Sequence, residues 1–80
     1  MKMKRAGTII EMPKTLDNNV VYEVKIDGEN IIARSAGKQA VKDYLFIRKG
    51  QSVEIEGNII NSHIEVQSAK IDILGKESTL

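Results

Sequence analysis

A strict alternation of apolar and polar positions constrains this chain more than any other feature. Every second residue from Val20 to Ile26 is apolar, so these side chains share one face of an extended strand. Asp27-Gly28 follows directly, and this dipeptide is typical of a tight type I′ hairpin, because both central residues need a positive φ. The next apolar stretch, Asn30–Ser35, is therefore predicted to pair with Val20–Ile26 in antiparallel fashion.

The segments on either side of this hairpin predict a further strand and a short helix. Gly7–Met12 predicts a first strand that ends at Pro13, since proline cannot donate to a sheet ladder. The polar segment Lys14–Asn19 predicts a mobile connection. After the hairpin the apolar spacing becomes helical and predicts a helix of about three turns from Lys38 to Ile47. The apolar positions of this helix are Val41, Tyr44, Leu45 and Ile47.

The last third of the chain predicts two more strands. Ser52–Ile60 alternates, with Val53, Ile55 and Ile59 inward and Ile60 outward, and Gly57 on the inward face predicts a bend or bulge. The strand Ile64–Ile73 changes phase near its middle, and one extra residue near Gln67-Ser68 would restore the alternation, which predicts a β-bulge. The tail 76–80 is expected to fray.

Length and composition exclude several classes of protein. The chain, 1–80, is expected to form a single domain, and its twelve Lys and Arg against eleven Asp and Glu leave a formal net charge of +1. That balance excludes a strongly basic or acidic tail protein. The chain has no cysteine, which excludes a disulfide scaffold, a thiolate zinc site and a cysteine nucleophile. No apolar run approaches the roughly 20 residues of a membrane span, and no apolar core of a signal peptide follows the basic N-terminus, so a cytoplasmic location is expected.

The order of the predicted elements is strand, strand, strand, short helix, strand, strand. That order, in about 70–80 residues, is what a five-stranded Greek-key OB-fold barrel requires. An SH3-like barrel fits the length but has no helix between its third and fourth strands. The predicted fold class is therefore mainly β, a five-stranded OB barrel with one short helix between strands three and four.

A set of short motifs runs in order along most of the chain. They are Gly7-Thr8-Ile9 with Pro13, Gly37-Lys38-Gln39-Ala40, Tyr44-Leu45, Arg48–Gly57, Glu65-Val66, Ala69, Ile71 and Leu74-Gly75. Together they resemble the bacterial single-stranded DNA-binding proteins and their relative, primosomal replication protein N. The resemblance implies an OB barrel that binds single-stranded DNA.

Two departures from that family bear on binding. The family's long hairpin between strands four and five is reduced here to Asn61-Ser62-His63. Aromatic residues make up only 4% of the chain, whereas aromatic stacking holds single strands at about 1–3 kcal/mol per base. We therefore expect weak binding, or binding that a partner assists.

A second resemblance covers the first half of the chain. Gly7–Glu11, Pro13, Val24–Gly28 and Ser35–Lys38 resemble the first three strands of bacterial translation initiation factor 1. That family is also an OB fold, and it binds the small ribosomal subunit. Its Ile-Leu-Pro-Gly-Asp stretch is missing here. The two resemblances agree on fold and on nucleic acid, and they differ on the ligand.

Basic side chains are the candidate ligand contacts, because phosphate binding needs positive charge. Lys25 and Arg34 are the strongest candidates, since they are predicted to lie on the outward faces of strands two and three, which OB folds use for ligands. Glu23 shares that face and counts against a strong phosphate site. The alternative is a solvated face whose mixed charges serve solubility. The candidate nucleic-acid-binding residues are Lys4, Arg5, Lys14, Lys25, Arg34, Lys38, Arg48 and Lys49.

The remaining polar and aromatic residues favour structural roles. Tyr22 alternates in phase with its apolar neighbours and is predicted to fill the core. Of Tyr44 and Phe46, one is predicted to plug the barrel. His63 is the single histidine, and it lies in a predicted turn, where a surface role is expected because metal sites need several ligands. Glu54 and Glu56 alternate on a solvated strand face.

The sequence thus predicts a module that binds nucleic acid and performs no chemistry. No convergent set of nucleophile, base and metal ligands can be assembled from these residues, and no cofactor or metal is expected. Single-stranded DNA is the expected ligand, in replication, recombination or a mobile element, and the mobile segment would close over the strand. A homodimer or a dimer of dimers, joined through first-strand edges, is also predicted. The alternatives are an RNA- or ribosome-binding barrel and a protein-interaction barrel that binds no nucleic acid.

Overall fold

Six strands and one helix make up the described part of the chain. The computed structural model describes residues 2–73 and 76–79, with side chains over residues 2–71. The elements are β1 (Lys2–Leu16), β2 (Asn19–Ile26), β3 (Glu29–Ser35), α1 (Gly37–Phe46), β4 (Ser52–Ile60), β5 (His63–Ile73) and β6 (Lys76–Thr79).

The strands form one sheet in the order β3-β2-β1-β4-β5-β6. A short parallel pairing between β3 and β5, from Ile32 opposite His63 to Arg34 opposite Glu65, closes the first five strands into a barrel. All other neighbouring strands are antiparallel. The structure confirms the predicted fold class, a five-stranded Greek-key barrel with α1 between β3 and β4.

β1 is longer than the sequence pattern predicts. It pairs with β4 over Lys2–Thr8 and with β2 over Thr8–Leu16, so it changes partner at Thr8. Its register against β2 shifts between Ile9 and Glu11 and again between Glu11 and Lys14. Pro13 lies within the second shift, where a bulged residue needs no ladder hydrogen bond. The predicted end of the strand at Pro13 was therefore wrong.

The predicted mobile connection over Lys14–Asn19 was also wrong. Lys14, Thr15 and Leu16 continue the ladder with β2, and Asp17 and Asn18 alone make the turn, with φ of 49° and 66°. Asp and Asn tolerate this left-handed conformation better than other side chains do. The segment is thus the end of a hairpin and not a loop that could close over a bound strand.

The barrel core follows the predicted alternation. Val20, Tyr22, Val24 and Ile26 are all buried, and they pack in one core with the buried isoleucines of the other strands. Asp27 and Gly28 have φ of 52° and 80°, which confirms the predicted hairpin turn.

The predicted bulge in the last barrel strand is present. Glu56 lies opposite Ser68 and Gly57 lies opposite Val66, so Gln67 is the extra residue of β5. A Cβ atom on Gly57 would collide with the carbonyl oxygen of Glu65. Gly57 therefore allows the two backbones to approach closely at the bulge, as the sequence suggested.

Helix α1 lies where the spacing predicted it, but it buries a different face. Its buried residues are Ala40 and Asp43, and Ile47 directly after it is fully buried. Tyr44 and Phe46 are both about half exposed, so the prediction that one of them plugs the barrel was wrong. Ile47, together with the small and polar side chains of α1, fills the end of the barrel instead.

The end of β4 differs from the prediction at one residue. Ile59 was predicted to point inward with Val53 and Ile55, but it is exposed at the end of the strand, whereas Ile60 is exposed as predicted. The tail expected to fray contains β6, whose backbone pairs with β5 between Lys70 and Ile73. Leu80 and the motif Leu74-Gly75 lie outside the described residues.

Candidate nucleic-acid interface

Three rows of outward side chains cross β1, β2 and β3. Cross-strand partners lie on the same face of a sheet, and adjacent strands are about 4.8 Å apart, so each row spans about 10 Å. We call these nine residues the outer face. Its rows are Lys14–Val21–Arg34, Glu11–Glu23–Ile32 and Thr8–Lys25–Asn30.

Three of the eight predicted binding residues come together on the outer face. Lys14 and Lys25 are exposed, and Arg34 is half-buried beside the parallel junction with β5. Among the side chains of residues 2–71, none of these three cations lies within 4.0 Å of a carboxylate. Their charge is therefore available to a ligand. The predicted outward positions of Lys25 and Arg34 match the structure.

The other five predicted residues lie elsewhere. Lys4 is on the β1–β4 side, where its Nζ lies 4.0 Å from Oε1 of Glu54, and Arg5 is exposed next to it. Lys38 is exposed on α1. Arg48 and Lys49 belong to the loop after α1, and the backbone N–H of Lys49 donates to Sδ of Met12 on β1 at 3.3 Å. The eight residues therefore do not form one continuous groove.

Arg48 forms several hydrogen bonds at the C-terminal end of α1. Its Nη1 donates hydrogen bonds to the carbonyl oxygens of Ile47 at 2.7 Å and Tyr44 at 3.2 Å. Its backbone N–H donates to Oε1 of Gln51 at 2.8 Å. A cation that satisfies the last carbonyls of a helix stabilises the helix end. This arrangement favours a capping role for Arg48.

A cleft of about 290 Å³ opens on the outer face between β1, β2 and β3. Met12, Val21 and Ile32 supply apolar surface, and Met12 and Ile32 are 41% and 42% exposed. Glu11, Glu23 and Lys14 supply its charged lining. The sequence pattern missed Met12, because its face depends on the bulges of β1. Ile32 lies two residues before Arg34 in a strand without a bulge, so the alternation that placed Arg34 outward also identifies Ile32 as outward.

A second, larger groove lies between the β1–β2 turn and α1. Its volume is about 560 Å³, and its apolar lining includes Leu16, Val41, Tyr44 and Leu45. All four side chains are more than half exposed. A contiguous apolar surface of this kind typically marks an interaction site.

Beneath α1 lies a cluster of buried polar groups. Asp43 is fully buried and accepts a hydrogen bond from Nε2 of Gln39 at 2.8 Å. The hydroxyls of Tyr22 and Ser35 and Oδ2 of Asp43 are also buried, and among the described residues none of these atoms has a partner of good hydrogen-bond geometry. Burial raises the pKa of Asp43, while its contacts with Ser35, Gln39 and Tyr22 oppose part of that rise.

Tyr22 fills the core, as the alternation predicted. Burial, with Asp43 beside it, raises the pKa of the Tyr22 phenol far above its ordinary value. The ring is 2% exposed, so it cannot stack on a base.

The described residues give no sign of a metal site or a membrane span. Within residues 2–71, no three His, Asp or Glu side chains gather closely enough to hold a metal ion. His63 lies with its Nε2 3.2 Å from Oε1 of Glu65. No helix in the described ranges is both long and apolar enough to cross a membrane.

Comparison with known proteins finds similarity in structure alone. No family model matches the sequence, and no curated protein matches it. The crystal structure of TiaS in complex with a tRNA, AMPCPP and agmatine matches with a TM-score of 0.81 and 18% identity, over 91% of this chain and 19% of that chain. A ZRD-deleted TiaS mutant with agmatine gives a TM-score of 0.80 and 19% identity, over 94% of this chain and 22% of that chain.

A third solved structure agrees with these two. A tRNA fluorescent labeling enzyme matches with a TM-score of 0.79 and 20% identity, over 91% of this chain and 18% of that chain. The chain thus spans about a fifth of the length of each of these proteins. At such low identities the similarity establishes the barrel fold alone.

Proposed function

We propose that this chain is a non-catalytic barrel module that binds single-stranded nucleic acid across its outer face. The observation that carries the proposal is the placement of Lys14, Lys25 and Arg34 on three adjacent strands of one face. Their charges have no carboxylate partner within 4.0 Å among residues 2–71. Barrels of this fold bind oligonucleotides on the same face, and phosphates supply the negative charge that the three cations require.

RNA is the favoured ligand. Two of the similar solved structures are complexes of TiaS with a tRNA, in which a domain with this fold is part of the chain. The sequence motifs alone favoured single-stranded DNA, with a role in replication, recombination or a mobile element. Both nucleic acids offer the same phosphates to the outer face, so the two ligands are compared directly in the experiment.

Binding of this kind is expected to be weak and sensitive to salt. The aromatic ring of Tyr22 is buried, and neither Tyr44 nor Phe46 lines the cleft. Tyr44 lines the neighbouring groove, which shares Thr15 and Leu16 with the cleft. The cleft offers Met12 and Ile32 as an apolar floor in place of stacking rings. Much of the affinity must therefore come from the cations, whose phosphate contacts release counterions.

Fluorescence anisotropy with labelled oligouridine, oligothymidine and duplex DNA, each at two salt concentrations, tests the proposal. We expect single strands to bind more tightly than the duplex, oligouridine to bind at least as tightly as oligothymidine, and affinity to fall with salt. Absence of binding to every probe at low salt would favour the alternative, a protein-interaction barrel.

Self-association is a second proposal, and it rests on a different surface. The groove between the β1–β2 turn and α1 exposes Leu16, Val41, Tyr44 and Leu45. β1 already hydrogen-bonds to β4 and to β2 along successive halves of its length, which leaves fewer free backbone groups for the predicted edge-to-edge dimer. We therefore propose that a homodimer or dimer of dimers forms through this groove.

A further inference from the structure

We propose that the cleft on the outer face holds a single guanine base and reads its Watson–Crick edge through Glu11 and Glu23. This inference rests on the proposed function, because it names the base that the bound single strand places in the cleft. A guanine site also explains why two carboxylates lie in the middle of a face whose cations are placed to bind phosphate.

The cleft has a floor on which a planar base can lie. Met12, Val21 and Ile32 come from three adjacent strands and line one space of about 290 Å³. Sδ of Met12 accepts the backbone N–H of Lys49 at 3.3 Å, which holds the side chain beside the cleft, and a polarisable thioether suits contact with an aromatic ring. Burial of Met12 and Ile32 by a base would also remove exposed apolar surface from water.

Two carboxylates face the same space. Glu11 lies directly opposite Glu23 in the β1–β2 pairing, and both side chains line the cleft. Like charges placed opposite each other destabilise a sheet. Among residues 2–71, neither carboxylate takes part in an ion pair or a side-chain hydrogen bond. A ligand that presents N–H donors would relieve this repulsion.

Guanine is the base whose edge matches a carboxylate. Its N1–H and N2–H₂ groups lie side by side, so both can donate to the two oxygens of one carboxylate, which only accepts. Adenine and cytosine each place a ring-nitrogen acceptor beside the amino group, and uracil places N3–H between two carbonyls. These acceptors are repelled by a carboxylate. In single-stranded RNA the Watson–Crick edges are free to be read in this way.

The cations around the cleft suit the backbone of the same nucleotide. Lys14 lines the cleft itself, Arg34 lies across Val21 from Lys14, and Lys25 follows Glu23 by two residues along β2. Negative charge therefore lies at the centre of the outer face, and positive charge lies on both sides. A polynucleotide has the complementary order, with base donors at the centre and phosphates on either side.

The test compares oligouridines that carry one central guanosine, inosine, adenosine, cytidine or uridine, by anisotropy at low salt. We expect the guanosine probe to bind about tenfold more tightly than the all-uridine probe, since one good bidentate contact discriminates at about that level or above. Inosine lacks the N2 amino group and should fall between them.

Two variants locate the effect. Glu23→Gln should abolish the preference for guanosine over uridine, because a carboxamide offers one acceptor oxygen where a carboxylate offers two, and Glu11→Gln should reduce it. Glu29→Gln removes the same charge at the exposed start of β3 and serves as the matched control. It should alter binding of the guanosine and all-uridine probes by the same factor. Circular dichroism checks that each variant is folded.

The outcomes separate the two proposals. Equal affinity for the guanosine and all-uridine probes, or an undiminished preference in both Glu23→Gln and Glu11→Gln, overturns the guanine site and leaves nucleic-acid binding standing. A preference for adenosine or cytidine also overturns it. Absence of binding to every probe overturns the guanine site together with the proposed function.

Discussion

Gln39 donates a hydrogen bond to Asp43 across 2.8 Å, one turn further along α1 and on its buried side. Asp43 is fully buried, and the hydroxyls of Tyr22 and Ser35 lie in the same cluster. The helix thus packs on the barrel through a polar cluster, with Ala40 as its buried apolar neighbour. Its larger apolar side chains remain on the surface as a result.

The buried carboxylate of Asp43 predicts how stability depends on pH. Burial raises the pKa of Asp43 in the folded state above its value in the unfolded chain. Folding therefore favours the protonated form, and the free energy of unfolding should fall as pH rises from about 3.9, the ordinary Asp value, through the raised pKa. Asp43→Asn keeps the shape without the charge, so it should remove this part of the pH dependence.

Urea denaturation of wild type and Asp43→Asn between pH 4 and pH 8 checks this prediction. The variant should gain stability relative to the wild type as pH rises, whereas Asp17→Asn in the exposed β1–β2 turn should follow the wild-type curve. A wild-type protein that becomes more stable relative to Asp43→Asn as pH rises would show that the cluster favours the ionised form.

The cations of the outer face predict a change in salt dependence. Lys25→Ala combined with Arg34→Ala should lower affinity for single strands and flatten the slope of log affinity against log salt by about 0.7 for each lost phosphate contact. Lys42→Ala combined with Lys70→Ala removes the same charge from α1 and β5 and is the matched control. If both double variants change the slope equally, net charge alone explains binding and the outer face has no special role.

Gly57 predicts a large loss of stability on a small substitution. In Gly57→Ala the added methyl group would collide with the backbone carbonyl of Glu65 on β5. Since backbone at a bulge cannot move without disturbing the ladder, we expect a loss of about 1–3 kcal/mol in the free energy of unfolding. Asn58→Ala, at the next position of β4, should change it by less than about 0.5 kcal/mol. Urea denaturation measures both, and equal effects would contradict the close approach.

Substitutions on the exposed side of α1 are predicted to prevent self-association without unfolding the monomer. Val41 is 60% exposed and Leu45 is 55% exposed, so Val41→Ser with Leu45→Ser should leave the monomer folded, with an unfolding midpoint close to that of the wild type diluted to its monomer. If this surface joins protomers, light scattering over a dilution series should show an oligomer for the wild type and a monomer for the double variant. A wild type that is monomeric at all micromolar concentrations contradicts the dimer.

Local sequence determined most of the barrel. The alternation of Val20–Ile26 and the turn at Asp27-Gly28 depend on neighbouring residues, and the structure has both. The change of phase near Gln67 likewise predicted the bulge. In a strand with one buried face, each extra residue moves the following apolar side chains from odd to even positions, or the reverse. The position of α1 also followed from spacing alone.

Tertiary structure decided which side of each element became a surface. β1 continues past Pro13 because a bulge against β2 accommodates this residue, which has no N–H. The position of that bulge follows from the register of β1 against β2, and the composition of the segment does not show the register. Helical spacing identified Val41 and Leu45 as apolar positions of α1, yet both are exposed, and the barrel end accepts Asp43 because other polar side chains surround the carboxylate there. Glu11 pairs with Glu23, twelve positions further along the chain, because of the same β1–β2 register. The bulges of this hairpin determine which residues lie opposite each other, and distance along the sequence does not.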